Sequence, residues 1–138
     1  MKVIIVGFGS IGQRHCKNLL DESNAEIFLC TKHNIKNFKN TKRIQNLHSL
    51  EKCLKNQPEI GFVCNTNNLH VETAIKLAKN NCHLLIEKPL SNSLKNITSL
   101  LSLVKKNKLV TLMGFNLRFH PCLIKVKQLL AKNKIGRV

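Results

Sequence analysis

The 138-residue sequence predicts an α/β fold, a doubly wound parallel sheet, and three observations carry that prediction. Short apolar, β-branched runs alternate with segments of helical periodicity. The first strand, helix and strand close within about 30 residues, the length of a βαβ crossover. The turn between that strand and helix holds three glycines, Gly7, Gly9 and Gly12.

Val3-Ile4-Ile5-Val6 has no polar alternation, as expected of a central strand buried on both faces. After Gly12, residues 13–20 place Cys16, Leu19 and Leu20 at helical spacing; Asp21-Glu22-Ser23-Asn24 interrupts the pattern before the apolar strand Ile27-Phe28-Leu29-Cys30. The polar stretch 31–42, rich in Asn and Lys, is expected to be a loop with a turn of helix, followed by a short strand over 43–46. Ser49 is placed to cap a helix that runs to Gln57 and is ended by Pro58, and Ile60-Gly61-Phe62-Val63-Cys64 reads as a further buried strand. Asn67 or Asn68 is expected to cap the next helix, whose apolar stripe is Val71, Ala74, Ile75 and Ala78, and Leu84-Leu85-Ile86 supplies the strand after it. A helix over 93–106, a strand over 109–113 and an amphipathic helix over 121–132 continue the alternation. With no repeat and no Pro/Gly/Ser-rich linker, the chain reads as one domain over 1–134.

Composition narrows the function classes. A hydrophobic fraction of 43% with 22% charged residues fits a packed domain rather than a disordered chain. No apolar run approaches the ~20 residues of a membrane-spanning helix, and no signal-peptide cleavage site follows the N-terminal strand, so a cytoplasmic protein without a membrane partner is expected. The six cysteines show no Cys-x-x-Cys pair and no neighbouring His at metal-ligand spacing, which favours scattered reduced thiols in a core over disulfides or a metal site. The net charge of +16 raises nucleic acid as a partner. The excess is mostly Lys, however, dispersed among Asn, with no Trp or Tyr for base stacking. A compositional bias toward Lys explains the charge better, and no nucleic-acid partner is expected.

Gly7-Phe8-Gly9-Ser10-Ile11-Gly12 matches the dinucleotide fingerprint G-x-G-x-x-G, the mark of a Rossmann-type sheet. The first glycine permits the tight turn, the second lets the backbone approach a pyrophosphate, and the third lets helix and sheet pack closely. Its context, after a strand and at the opening of a helix, makes nucleotide binding the stronger reading. About 20 residues on, an NAD-preferring site places a carboxylate at the end of the second strand. This chain has Cys30-Thr31-Lys32-His33 there, a hydroxyl, an ammonium and an imidazole, which favours NADP over NAD. Glu87-Lys88-Pro89 follows a strand, at the carboxyl end where ligands bind in open parallel sheets. Lys88 there could donate to a substrate hydroxyl or relay its proton; a surface lysine in a Lys-rich chain is an equal reading of the residues alone.

These segments, with Asn65-Thr66-Asn67-Asn68-Leu69-His70, Gly114-Phe115-Asn116-Leu117-Arg118-Phe119-His120-Pro121 and Lys134-Ile135-Gly136-Arg137-Val138, resemble the Gfo/Idh/MocA family of NAD(P)-dependent sugar oxidoreductases. The resemblance runs the whole chain, with all five signatures in order. It implies hydride transfer between a nicotinamide cofactor and a sugar or sugar-derivative hydroxyl, with Lys88 as the catalytic residue. It also implies cofactor contacts from the glycine loop, Asn65, Thr66, His70, Glu87, Lys88 and Arg118. The Asn-Leu-Arg-Phe-His-Pro wording is similar to members of surface-polysaccharide and nonulosonate sugar pathways. Thr66 departs from the Pro of many members. The resemblance implies a C-terminal α+β substrate domain that residues 1–138 are not expected to include, with 135–138 expected to be its start. The unpaired sheet edge invites association, so a homo-oligomer of the full-length protein is expected. A non-catalytic NADP-binding module and, less favoured, a basic nucleic-acid-binding protein are the alternatives. His70 and Glu87 read equally well as a helix-facing histidine and a solvated carboxylate, whereas Phe8, Phe28 and Phe62 read as core or cleft wall.

Overall fold

The computed structural model describes residues 1–33, 35, 38 and 41–136. Six parallel strands, β1 (Lys2–Val6), β2 (Glu26–Cys30), β3 (Ile44–Asn46), β4 (Ile60–Val63), β5 (His83–Ile86) and β6 (Thr111–Met113), lie in the order β3-β2-β1-β4-β5-β6. The helices are α1 (Ser10–Glu22), α2 (Leu50–Leu54), α3 (His70–Lys79), α4 (Ile97–Lys106) and α5 (Pro121–Ala131). The strand order reverses between β1 and β4, which leaves a crevice outside the carboxyl ends of these two strands. The doubly wound Rossmann-type sheet expected from the sequence is the observed one.

Both faces of the sheet are covered at its centre, which is why β1 needs apolar side chains at every position from Val3 to Val6. Ile4, Val6, Phe28, Val63, Leu84 and Ile86 pack on one face with residues of α2, α3 and α4. Val3, Ile5, Ile27 and Leu29 pack on the other with Cys16 of α1, backed by Leu19 and Leu20. Gly61 is small for a packing reason, since a Cβ there would lie 2.7 Å from the Leu77 side chain of α3. The C-terminal carbonyls of α1 are met by the Arg43 guanidinium, which donates to Leu20 O at 2.6 Å and Ser23 O at 2.5 Å.

Several boundaries differ from those expected. Ser49 does cap α2, accepting from the Lys52 N–H at 3.4 Å, but the helix ends at Leu54 and Gln57 takes a positive φ of 54°. Neither Asn67 nor Asn68 caps α3; a 3₁₀ turn over Asn67–Leu69 leads directly into it and its N-cap, Leu69, offers no side-chain bond. The helix expected from residue 93 begins only at Ile97, because Asn96 is left-handed (φ 63°) and Ser91 Oγ takes the Ser93 N–H in a local turn that competes with helix. Of the uncertain stretch 31–42, the described part includes a 3₁₀ turn over Thr41–Arg43, and the rest lies outside the described residues, as do Arg137 and Val138 at the expected domain junction. Cys16, Cys53, Cys64 and Cys82 are buried and Cys30 is half-buried, but Cys122 is exposed on α5 rather than in a core. Among the described residues no helix is long and apolar enough to cross a membrane, and no His/Cys/Asp/Glu group has metal-ligating geometry.

Candidate functional site

The three glycines take three different structural parts. Gly7 has φ +93°, and a Cβ there would run into the Asn65 backbone, so only glycine turns the chain out of β1. Gly12 packs its α-carbon against the Gly7 carbonyl, which brings α1 down onto the sheet. At Gly9 a Cβ would meet no atom of the described residues within 4 Å. The space in front of this residue is open, which is where a ligand can approach the backbone. Gly9 is also the N-cap of α1, with no side-chain cap bond and no acidic residue in the first turn. The helix therefore presents Ser10, Ile11 and their free N–H groups with the positive end of its dipole.

That opening belongs to a groove of about 580 Å³ that runs along the ends of β1, β2 and β4 and is lined by Gly7, Phe8, Gly9, Thr31, Lys32, His33, Asn65 and Thr66 among others. The Phe8 side chain is turned away, 1% exposed and tilted against the Phe38 ring at 4.9 Å, so it offers the groove its backbone. Thr31 is buried at the end of β2, where its Oγ1 accepts the His33 N–H at 3.0 Å and its carbonyl accepts from His48 Nδ1 at 2.7 Å. Lys32 and His33 are exposed at the groove's rim, and among the described residues none that lines it is a carboxylate. The Asn65 side chain donates to Thr73 Oγ1 at 2.9 Å, while its buried Oδ1 has no hydrogen-bond partner among the described residues. An orphaned acceptor of this kind calls for a donor from outside the described protein atoms.

A second cleft, of about 450 Å³, continues from the first past Ile11, Asn65, His70, Glu87, Lys88 and Asn116. His70 is 2% exposed and both of its ring nitrogens face carbonyls, Nδ1 to Pro89 O at 2.8 Å and Nε2 to Asn65 O at 2.9 Å. The ring thus staples the loop after β4 to the loop after β5. Glu87 is buried, and its Oε1 accepts from His15 Nε2 at 2.7 Å. Burial pushes the neighbouring Cys64 thiol up to about 12, with the Glu87 charge adding to the effect. Lys88 is exposed, and it lines a further cleft of about 700 Å³ with Asn116 and Arg118, which lies on the 3₁₀ turn Asn116–Phe119.

The fold therefore brings Gly7, Phe8, Gly9, Thr31 to His33, Asn65 and Thr66 to one groove, Ile11, His70, Glu87 and Lys88 to the cleft that continues from it, and Arg118 to a further cleft that Lys88 also lines, whereas Ser10 and Gly12 line none of the three. His15 is the residue that motif reading missed. Its signal was present: it stands four residues after Ile11 and four before Leu19, a polar side chain within the sheet-facing stripe of α1.

A glycine turn open at its middle residue, an uncapped helix terminus and an unpartnered buried acceptor define a dinucleotide-binding domain of the Rossmann type. The chain belongs to the Gfo/Idh/MocA oxidoreductase family: residues 1–115 match the family model described as "Oxidoreductase family, NAD-binding Rossmann fold". It is 28% identical over 137 residues to oxidoreductase YrbE of Bacillus subtilis, covering 96% of this chain and 40% of that protein. It is 27% identical over 142 residues to the myo-inositol 2-dehydrogenase of Thermotoga maritima, covering 99% of this chain and 42% of the relative. The crystal structure of myo-inositol 2-dehydrogenase from Lactobacillus plantarum superposes with a TM-score of 0.83 at 16% identity, over 100% of this chain and 43% of that one, a likeness of fold. The chain thus spans about two fifths of the length of these relatives.

Proposed function

We propose that this chain is the cofactor-binding part of an oxidoreductase that moves a hydride between NADP and a carbon bearing a sugar or polyol hydroxyl. The observation that carries the reading is the groove in which the open Gly9 backbone, the α1 terminus and the orphaned Asn65 Oδ1 converge. Bound there, the nicotinamide cofactor supplies the hydride chemistry. The chain's own residues have separate tasks. Ser10, Ile11 and Gly12 at the helix terminus hold phosphate, and Asn65 Oδ1 accepts from a ligand donor such as an amide or hydroxyl. Lys88 handles the proton of the substrate hydroxyl from the cleft it shares with Arg118.

The preference for NADP rests on Thr31, Lys32 and His33 at the end of β2, in a groove where no described lining residue is a carboxylate that would repel a 2′-phosphate. The substrate class rests on relatives such as the myo-inositol 2-dehydrogenase, whose name specifies a ring hydroxyl. Titration of the chain with NADPH and NADH, followed by nicotinamide fluorescence, tests the reading. Saturable binding that favours NADPH is expected, with Gly9→Val abolishing it and Lys32→Gln weakening NADPH alone by about tenfold, the loss of one charge-assisted hydrogen bond. Binding of neither dinucleotide, or binding indifferent to Gly9→Val, overturns it.

A further inference from the structure

Glu87 and Lys88 are neighbours of opposite charge, yet among the described residues Lys88 makes no ion pair. The Glu87 carboxylate is engaged elsewhere. Its Oε1 lies 2.7 Å from His15 Nε2, its Oε2 takes the Lys88 backbone N–H at 3.4 Å, and its side chain is only 10% exposed. Three independent features hold that arrangement. The His15 ring leans on Phe62 of β4, with centroids 5.2 Å apart and planes at 56°. Gly114, at the end of β6, leaves room for the carboxylate, since a Cβ there would lie 2.7 Å from Oε2. The Glu87 N–H is tied to Val63 O at 3.0 Å, fixing the turn from which Lys88 projects.

We propose that His15 is a positioning residue of this site: by engaging the Glu87 carboxylate it keeps that charge from pairing with Lys88, so that the ammonium faces the cleft it shares with Asn116 and Arg118. The physical reason is competition for one acceptor. A carboxylate released from His15 gains a partner in the adjacent ammonium, and that ion pair both draws Lys88 toward the turn and holds its proton. A histidine on α1, the helix that begins at the phosphate-binding turn, thereby acts on Lys88 through Glu87. The inference rests on the reading of Lys88 as the residue that handles the substrate proton.

The test reads the charge state of Lys88 in the 138-residue chain without any cofactor. Trace acetylation with acetic anhydride at pH 8 is quantified by peptide mass spectrometry, with exposed Lys79 at the end of α3 as the internal reference. His15→Ala is expected to slow Lys88 acetylation relative to Lys79 by about two- to fivefold, the range spanned by an exposed ion pair. Glu87→Gln in that background is expected to restore the wild-type ratio, and His15→Gln, which keeps a donor near the carboxylate, to stay close to it. An unchanged ratio in His15→Ala, or slowing that persists in the double variant, overturns the proposal. Should His15→Ala fail to fold, Glu87→Gln alone decides. A ratio equal to wild type supports the separation of charges, and a two- to fivefold acceleration shows that Glu87 already bears on Lys88 and overturns it. Failure here leaves dinucleotide binding intact, and failure of dinucleotide binding leaves the acetylation result intact, so the two readings fall separately.

Discussion

Two adjacent rows of side chains cross the sheet on opposite faces, and they end differently. On one face, Cys30, Val6, Val63, Ile86 and Met113 follow one another across β2, β1, β4, β5 and β6, and all are buried or half-buried beneath the face that α2, α3 and α4 cover. On the other face the row is Leu29, Ile5, Phe62, Leu85 and Leu112. Leu29 and Ile5 are fully buried beside α1, Phe62 and Leu85 are half-buried, and Leu112 is 60% exposed. The second row loses its cover as it leaves α1. The site lies along that gradient, because a groove of about 630 Å³ between α1 and β6 is lined by His15, Leu85, Glu87, Leu112, Gly114 and Arg118 among others. Similar apolar residues in successive strands therefore have unequal energetic weight, decided by which helix lies over them.

The largest effect separates the covered end of this row from the rest. Ile5→Ala removes a branched side chain that is fully buried between β2 and β4, where neighbours on the pleated surface can relax only partly into the space. A loss of about 2–5 kcal/mol is expected in urea unfolding, from the lost transfer energy together with the cavity. A loss below about 1 kcal/mol, small for a large-to-small core substitution, would break the comparison by showing that the centre of the sheet is no better packed than its edge.

An intermediate effect is expected beside the row's last two strands. Gly114→Ala places a methyl group 2.7 Å from Glu87 Oε2 and 2.8 Å from Oε1, and the carboxylate cannot move aside without leaving His15. The cost expected from overpacking is about 1–3 kcal/mol in the same unfolding assay. The histidine C2 proton resonance of His15 should shift as its partner moves. Destabilisation without that shift would place the strain elsewhere in the loop after β6.

The contrast between rows also explains how much the sequence could disclose. Strand and helix alternation, the central position of β1 and the groove at its carboxyl end were legible because periodicity and the glycine turn are local signals. The convergence of Thr31, Asn65 and Lys88 on neighbouring clefts at the strands' carboxyl ends followed from the parallel topology. What was not legible depends on contacts between distant segments. His15 meets Glu87 across 72 residues, and His70 spans from Asn65 to Pro89; the helix stripe marks the first histidine and the family resemblance the second, but in each case only the fold supplies the partner. The start of α4 was misplaced because Ser91-Asn92-Ser93 and Asn96 satisfy themselves locally, which helical periodicity does not register. The exposure of Leu112 was equally hidden, since Leu112 is as apolar as the buried Leu29 of its own row.

That last point gives the smallest and most discriminating effect. Leu112 pairs in register with Leu85, so its backbone is held by the β5–β6 ladder whatever its side chain does. Its side chain contributes in proportion to the apolar area it hides, and at 60% exposure most of that area already faces water. Leu112→Ser is therefore expected to change the unfolding free energy of this chain by no more than about 0.5 kcal/mol, against the several kcal/mol expected at Ile5. Serine's lower strand propensity works in the destabilising direction, so a small loss is the predicted sign. A loss near that of Ile5→Ala would mean that Leu112 is covered in solution, by α5 or by a second copy of the chain, and concentration dependence of the unfolding midpoint would distinguish the second case from the first.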